Sequence, residues 1–408
     1  MGSLSAVSAM HPLARAWAGP SGGPGTRQVG LPSEIGRGVL RARSMRLQLR
    51  HTWTTVMSKS TFRDVCYTTY TLGDHTGYGE GAPIPRYHES AEGALAAVEA
   101  LRPLVEGADP FKFAAVLDRI GRARPGDYAA KAAIDLALTD WVTQRLGVPL
   151  YRYLGLDPER APPTSMSIGI DRPEITIQKV REAADFPVLK IKVGLDSDEA
   201  TLAAVRSVSQ QRLRVDANEG WKDREEALRK LKWLAGQNVE FVEQPMAAER
   251  IDDQRWLHER SPLPLFADEA CLHAEAIPGL SGLYDGIVVK LDKCGGIFPA
   301  LRMIHVARAH KLKILLGCMV SSSVTITAAA HLASLVDYVD LDGNLLIDND
   351  PFQGVSVEKG RLILPNRPGL GLLPRPASAT VPRPAAPASP VPVSRPSSAA
   401  ATAPATGN

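Results

Sequence analysis

Lysines and carboxylates recur along this chain at spacings suited to proton transfer around a cation. Lys190 and Lys192 stand two apart in the apolar run VLKIKV (188–193), so on an extended strand both point to one face. Asp216, Glu243 and Asp268 each close a later apolar run, at intervals of 27 and 25 residues. Lys290 closes another, and Asp340 and Asp342 lie two apart at the end of the last. Three carboxylates gathered in one place repel one another unless a cation sits between them, and oxygen-only donors suit a hard ion such as Mg2+. A lysine that is partly buried beside another cation has its pKa lowered from about 10.4, as a base near neutral pH requires. Lysines on opposite faces of a substrate can take a proton from one side and return it to the other. The pair Asp340 and Asp342, off the carboxylate strands, suits an ammonium group. Taken singly, each of these residues has a plainer reading as a helix cap, a surface ion pair or a solvated charge. Their shared position at run ends argues against it. Lys293 is expected to face solvent or a cap partner, and His305, His310 and His331 to be structural.

The elements that must hold these groups are visible in the spacing. Short apolar runs centred on Met166, Lys190, Val215, Val242, Phe266, Val289, Leu315 and Val339 recur at intervals of 24, 25, 27, 24, 23, 26 and 24 residues. Each interval fits one strand and its crossover helix. Eight such units predict a TIM-like (β/α)8-type barrel over 161–348, whose chemistry would sit at the C-terminal strand ends. An open doubly wound sheet is the rival, but SIGIDRPE (167–174) is not the Gly-rich phosphate loop expected after its first strand. Residues 45–160 read as an α+β capping domain. In it MRLQLRHTW and VCYTTYTL form antiparallel strands, HTGYGEGAP supplies turn residues, and helices fall near 90–106, 110–121 and 127–146. Residues 349–372 are expected to return to the cap, with GVSVEKGRLILP (354–365) a hairpin.

At these positions KIKVG (190–194), VDANEGW (215–221), EQP (243–245), ADEA (267–270) and VKLDKCGG (289–296) resemble the enolase superfamily, in its muconate-lactonizing branch. The likeness spans 45–372. It implies that Lys192 and Lys290 are the acid/base pair with Lys190 as tuning neighbour. It also implies that Asp216, Glu243 and Asp268 ligate one Mg2+ per subunit, with Asn218 and Glu269 in support. Lys or His bases with Mg2+ stabilising an ene-diolate are general to that superfamily rather than read from these residues. A mandelate-racemase-type member would carry a His on strand seven, where LLGCM (315–319) has none. LLGCMVSSS (315–323) and DLDGNLLIDND (340–350) resemble the dipeptide epimerases, including Ala-Glu epimerases. In these the D-x-D pair holds the substrate's terminal ammonium, which agrees with the independent reading of Asp340 and Asp342. The resemblance thus implies an isomerase that inverts the C-terminal residue of a dipeptide, L-Ala-L/D-Glu foremost. Met319 and a cap loop at 53–61 would line its substrate site, with Lys59 or Arg86 meeting a glutamate side chain.

Two other readings compete. O-succinylbenzoate synthase or muconate cycloisomerase would share the lysines and metal, but their substrates offer no ammonium to Asp340 and Asp342. A non-catalytic binding protein would have no need for the full set of carboxylates and lysines. Composition is that of a globular enzyme, with 44% hydrophobic and 22% charged residues. The net charge of +3 argues for neither nucleic acid nor an anionic membrane as partner, and no run is long enough to span a bilayer. Four scattered cysteines fit a reducing, cytoplasmic setting. Homo-oligomerisation is common in the family, though nothing in the sequence shows it. Residues 1–44, with Glu34 the only acidic residue, are expected to be a disordered extension rather than a targeting segment, with the structured chain opening at Met45. The Pro/Ala-rich stretch 373–408 is expected to be a disordered tail.

Overall fold

The computed structural model describes residues 36–376. The expectations for 1–35 and 377–408 therefore lie outside the described residues. Two elements extend beyond the boundaries read from sequence. The first strand, β1 (Val39–Thr54), begins before Met45. Leu40 and Ala42 pack into the cap core while Arg41 and Arg43 stay exposed, a strand alternation that the basic residues disguised as a tail. At the other end Leu373–Pro374 pairs antiparallel with Phe352–Gln353, so the ordered chain passes 372.

β1 pairs antiparallel with β2 (Lys59–Leu72), and β2 with β3 (His75–Gly81). The HTGYGEG stretch is therefore a strand, not the turn segment its glycines suggested. Helices α1 (Ala91–Glu106), α2 (Phe113–Ala123) and α3 (Tyr128–Arg145) complete the cap. The glycines of β3 have a packing reason. A Cβ at Gly77, Gly79 or Gly81 would lie 2.0, 1.9 or 1.9 Å from the carbonyl oxygen of Ala137, Ala133 or Ala129. Alternate residues of the strand thus meet every fourth residue of α3, backbone against backbone.

The barrel strands are β4 (Met166–Ile168), β5 (Val188–Lys192), β6 (Arg212–Asp216), β7 (Val239–Glu243), β8 (Leu265–Ala267), β9 (Gly286–Val289), β10 (Lys313–Leu316) and β11 (Tyr338–Val339). Each pairs in parallel with its neighbours in sequence. A parallel bridge between Thr164 and Val339 joins last strand to first and closes the ring. The rival open sheet is thereby excluded.

Period-two alternation sorts these strands into faces. Leu189, Ile191, Leu213, Val215, Val242, Leu265, Ile287, Val289, Ile314 and Leu316 pack into the large core beneath the surrounding helices. The intervening residues form the interior. Its lower layer is apolar on β7 to β10, where Phe241, Phe266, Val288 and Leu315 cluster with Tyr338, while β5 and β6 contribute Lys190 and Arg214. The rings of Phe241 and Phe266 stack with centroids 4.2 Å apart, and the Arg214 guanidinium lies over Phe241 and Tyr338. Two residues further along each strand come Lys192, Asp216, Glu243, Asp268, Lys290 and Asp340. On β7 to β9 the interior changes from apolar to charged within one pleat repeat.

Cap and barrel are tied by buried polar contacts. Ser322 donates its backbone N–H to Glu80 on β3 at 2.9 Å, and its hydroxyl also bonds that carboxylate. The N–H of Ala82 donates to Asp292 at 2.7 Å, and that of Leu370 to Asp140 on α3 at 2.7 Å. The hairpin Ser356–Glu358/Arg361–Ile363 forms as expected, but it does not return to the cap: Gly360 at its turn accepts the Thr164 N–H at the base of the barrel. The flanks make the return instead. Phe352 stacks on Tyr67 and lies against Tyr78, and Gly369 accepts the Leu150 N–H. No helix of the described residues is long and apolar enough to cross a membrane.

Candidate active site

At the C-terminal mouth of the barrel the strand ends bring together nearly every group singled out above. A cavity of about 430 Å3 is lined by Lys190, Lys192, Asn218, Asp268, Glu269, Lys290, Met319, Asp340 and Asp342 from the barrel. From the cap it is lined by Trp53, Met57, Arg63, Arg86 and Tyr87, among others.

Asp216, Glu243 and Asp268 end three adjacent strands. They offer carboxylate oxygens that all lie within 4.8 Å of one another. All three are buried, Asp216 and Glu243 completely. Lys192 donates to Asp216 at 2.6 Å from one side, and Lys290 donates to Asp268 at 2.7 Å from the other. β5 and β9 stand four strands apart in a ring of eight, so these lysines face each other across the carboxylates. Lys190 lies beneath, 2.8 Å from Glu243 and 3.2 Å from Asp216, and donates to Asp340 at 2.8 Å. Its contact with Glu243 is off the line that a hydrogen bond needs, and both Glu243 oxygens are buried without a hydrogen-bond donor. Orphaned carboxylate oxygens in a buried all-oxygen cluster fit a hard divalent cation. The donor set therefore suits the metal expected from sequence.

The electrostatics follow from this crowding. Burial, with Asp216 next, pushes the Glu243 carboxyl up to about 8. Burial would also raise Asp216 and Asp268, but the lysines overcome it: Lys192 and Lys190 hold Asp216 below the usual carboxylate range, and Lys290 and Lys293 do the same for Asp268. Lys190, beside Lys192, was expected to have a lowered pKa. It is instead raised, as is that of Lys290, because adjoining carboxylates (Asp340 first for Lys190, Asp268 first for Lys290) outweigh burial. Coulombic attraction at contact distance exceeds desolvation here.

Lys293 corrects another expectation. It is 1% exposed and points inward, donating to the backbone oxygen of Asp268 at 2.6 Å and also contacting its carboxylate. Its apolar neighbours Leu291 and Cys294 were the available signal. Asn218 donates to Glu269 at 3.1 Å, and its own N–H bonds Asp216 at 2.9 Å. Asn218, Glu219 and Gln244 all take positive φ (42°, 63° and 35°), so the chain is strained where it leaves β6 and β7. Glu269 is pushed up to about 8, by burial first and then by Asp268.

Asp340 and Asp342 are both buried and both line the cavity. Asp340 accepts from Ser165 at 2.8 Å as well as from Lys190. Asp342 accepts the Ser167 N–H at 2.6 Å, and burial together with Asp340 pushes it up to about 7.

Met319 lines the cavity as expected, whereas Lys59 does not: it is exposed at the start of β2, outside the lining. Arg63, four residues further along β2 and on the same face of the strand, lines the cavity instead. Arg86 lines the cavity but is committed to Glu219 at 2.8 Å and Glu249 at 2.9 Å. Tyr87 was not singled out, although the sequence places its segment, PRYHES (85–90), beside the cap loop. Burial and then Asp268 hold its phenol protonated.

Residues 43–155 match the family described as mandelate racemase / muconate lactonizing enzyme, N-terminal domain, and residues 175–378 match enolase C-terminal domain-like. The chain belongs to the enolase superfamily, in its mandelate racemase / muconate lactonizing enzyme family. It is 44% identical over 341 residues to an L-Ala-D/L-amino acid epimerase of Pedosphaera parvula, covering 81% of this chain and 97% of that one. It is 40% identical over 329 residues to an L-Ala-D/L-Glu epimerase of Bacteroides thetaiotaomicron, covering 80% and 85%. A dipeptide epimerase of Enterococcus faecalis, solved with Mg and L-Leu-L-Tyr, matches at a TM-score of 0.77 and 31% identity, over 82% of this chain and 98% of that one.

Proposed function

We propose that this chain is a Mg2+-dependent dipeptide epimerase that inverts the C-terminal residue of its substrate, L-Ala-L/D-Glu foremost. One observation carries the reading: Lys192 and Lys290 flank a buried carboxylate triad from opposite sides, with Asp340 and Asp342 in the same cavity. The names of the relatives support it.

Asp216, Glu243 and Asp268 hold the cation. When bound, it supplies positive charge that stabilises the substrate carboxylate as the α-carbon loses its proton, and that relaxes the carboxylates' hold on the lysines. Asp340 and Asp342 receive the dipeptide's ammonium and fix its orientation. One lysine, neutral, removes the α-proton; the other, protonated, delivers one to the opposite face. The two exchange roles for the other configuration, so the enzyme works in both directions. Lys190 balances charge beneath the triad, and Asn218 and Glu269 steady the rim. The cyclising and dehydrating members of the family act on acids without an ammonium, so the Asp340/Asp342 pair argues against that second reading. The cysteines Cys66, Cys271, Cys294 and Cys318 are all free, in keeping with a cytoplasmic enzyme.

The test is to incubate the protein with Mg2+ and L-Ala-L-Glu, or pools of other L,L-dipeptides, in D2O. Deuterium is expected at the α-carbon of the C-terminal residue, together with the L,D product. If every dipeptide keeps its α-hydrogen, the reading is wrong.

A further inference from the structure

Four groups surround the reacting carbon in the arrangement just proposed, and three of them have been placed. Its hydrogen lies on the line between Lys192 and Lys290, its carboxylate faces the triad, and its amide leads toward Asp340 and Asp342. The side chain is left the cap wall of the cavity. Five cationic side chains line this cavity: Lys190, Lys192, Lys290, Arg86 and Arg63. The lysines are all ion-paired with carboxylates, and Arg86 is held by Glu219 and Glu249. Arg63 has no ion pair among the described residues, and its Nε is buried without a hydrogen-bond partner. Of the acids whose charge reaches it, Asp64 is fully engaged and Asp292 through one oxygen only. Asp64 accepts two hydrogen bonds of 2.8 Å from Arg46, and Asp292 accepts the Ala82 N–H. An unpaired guanidinium in a desolvated wall is costly, and a planar carboxylate matches its fork.

Resting on the epimerase reading, we propose that Arg63 receives the side-chain carboxylate of the inverted residue, and so selects acidic dipeptides over neutral ones. Arg63 makes no contact with the reacting atoms in this arrangement, so its effect falls on substrate choice rather than on proton transfer. A purely structural role is the competing account. The second oxygen of Asp292 is buried without a partner, and the Asp292 charge favours the charged form of Arg63 against the burial that lowers its pKa.

The experiment compares L-Ala-L-Glu with the near-isosteric neutral L-Ala-L-Gln by α-deuterium exchange in D2O with Mg2+. The wild-type protein, Arg63→Met, Arg63→Lys and Asp292→Asn are each measured. Wild type is expected to favour the glutamate dipeptide in kcat/KM. Arg63→Met is expected to lower kcat/KM for it by roughly 10- to 100-fold, mainly through KM, with a smaller loss on the glutamine dipeptide, so that the ratio collapses. Arg63→Lys should fall between, keeping charge but losing the fork. Asp292→Asn should leave the ratio within about threefold of wild type.

Equal losses on both substrates in Arg63→Met, or a collapsed ratio in Asp292→Asn, would overturn the proposal in favour of the structural account. If Arg63→Met does not fold, the wild-type ratio and Arg63→Lys still decide, and a wild type indifferent between the two dipeptides rejects the assignment. That result would leave the epimerase reading standing. Absence of exchange on every dipeptide would remove both.

Discussion

Lys192 and Lys290 differ in which carboxylate they grip, and the difference makes them separable by experiment. Lys192 holds Asp216 and Lys290 holds Asp268, with Glu243 between. Each lysine can therefore reach only one face of a carbon bound over the triad. Replacing either by alanine should lower epimerisation by roughly 100- to 10,000-fold. Each variant should still wash deuterium into a dipeptide of one configuration, and the surviving configuration should be opposite for the two. NMR of L-Ala-L-Glu and L-Ala-D-Glu incubated separately reads this directly. Variants that exchange both configurations alike would show that the lysines do not divide the faces.

At the scale of elements, legibility depended on how often a rule is repeated. Eight apolar runs at a near-constant interval disclose the barrel, and the position of Lys192, Asp216, Glu243, Asp268 and Lys290 at the run ends places them at one mouth. The failures have local physical causes. Gly77, Gly79 and Gly81 read as turn residues because nothing in a single sequence reveals the helix whose carbonyls exclude a Cβ. Lys293 read as facing solvent or a cap partner because its partners Asp268 and Cys271 lie 25 and 22 residues away along the chain. Lys59 was singled out and Arg63 was not, because the sequence does not say how far along a strand the cavity reaches. The glycine contact makes a prediction of its own. In Gly79→Ala the new methyl would meet the Ala133 carbonyl at 1.9 Å, so strand and helix must separate. A loss of about 3 kcal/mol is expected, seen as a Tm lower by several degrees in calorimetry. Gly121, on α2 with nothing within 4 Å of its Cβ position, provides the contrast: alanine there should be neutral or stabilise by up to about 1 kcal/mol.

Across the whole molecule, the buried carboxylates and the lysines beside them form a charge cluster whose balance is set by what occupies it. A ligand that binds only the folded chain stabilises it by about 2.7 kcal/mol at a hundredfold excess over Kd. Mg2+ should therefore raise Tm and EDTA should reverse the rise. Glu243→Gln, which removes the charge and replaces one of the two oxygens that lack donors, should abolish the Mg2+ response while the metal-free protein stays folded. An undiminished Mg2+ shift in that variant would move the metal elsewhere.

The stacked rings of Phe241 and Phe266, with Tyr338 and Arg214 beside them, form a watertight floor under the charged layer, and this bears on isotopes. The cavity above that floor is walled on the cap side by Trp53, Met57, Arg63, Arg86 and Tyr87. Where a bound dipeptide keeps water from the lysines, the hydrogens they already carry are the stock from which the carbon is resupplied. The deuterium content of the first product formed after transfer to D2O is thus a clock. It records how long each ammonium had stood open to the solvent before the peptide shut it in.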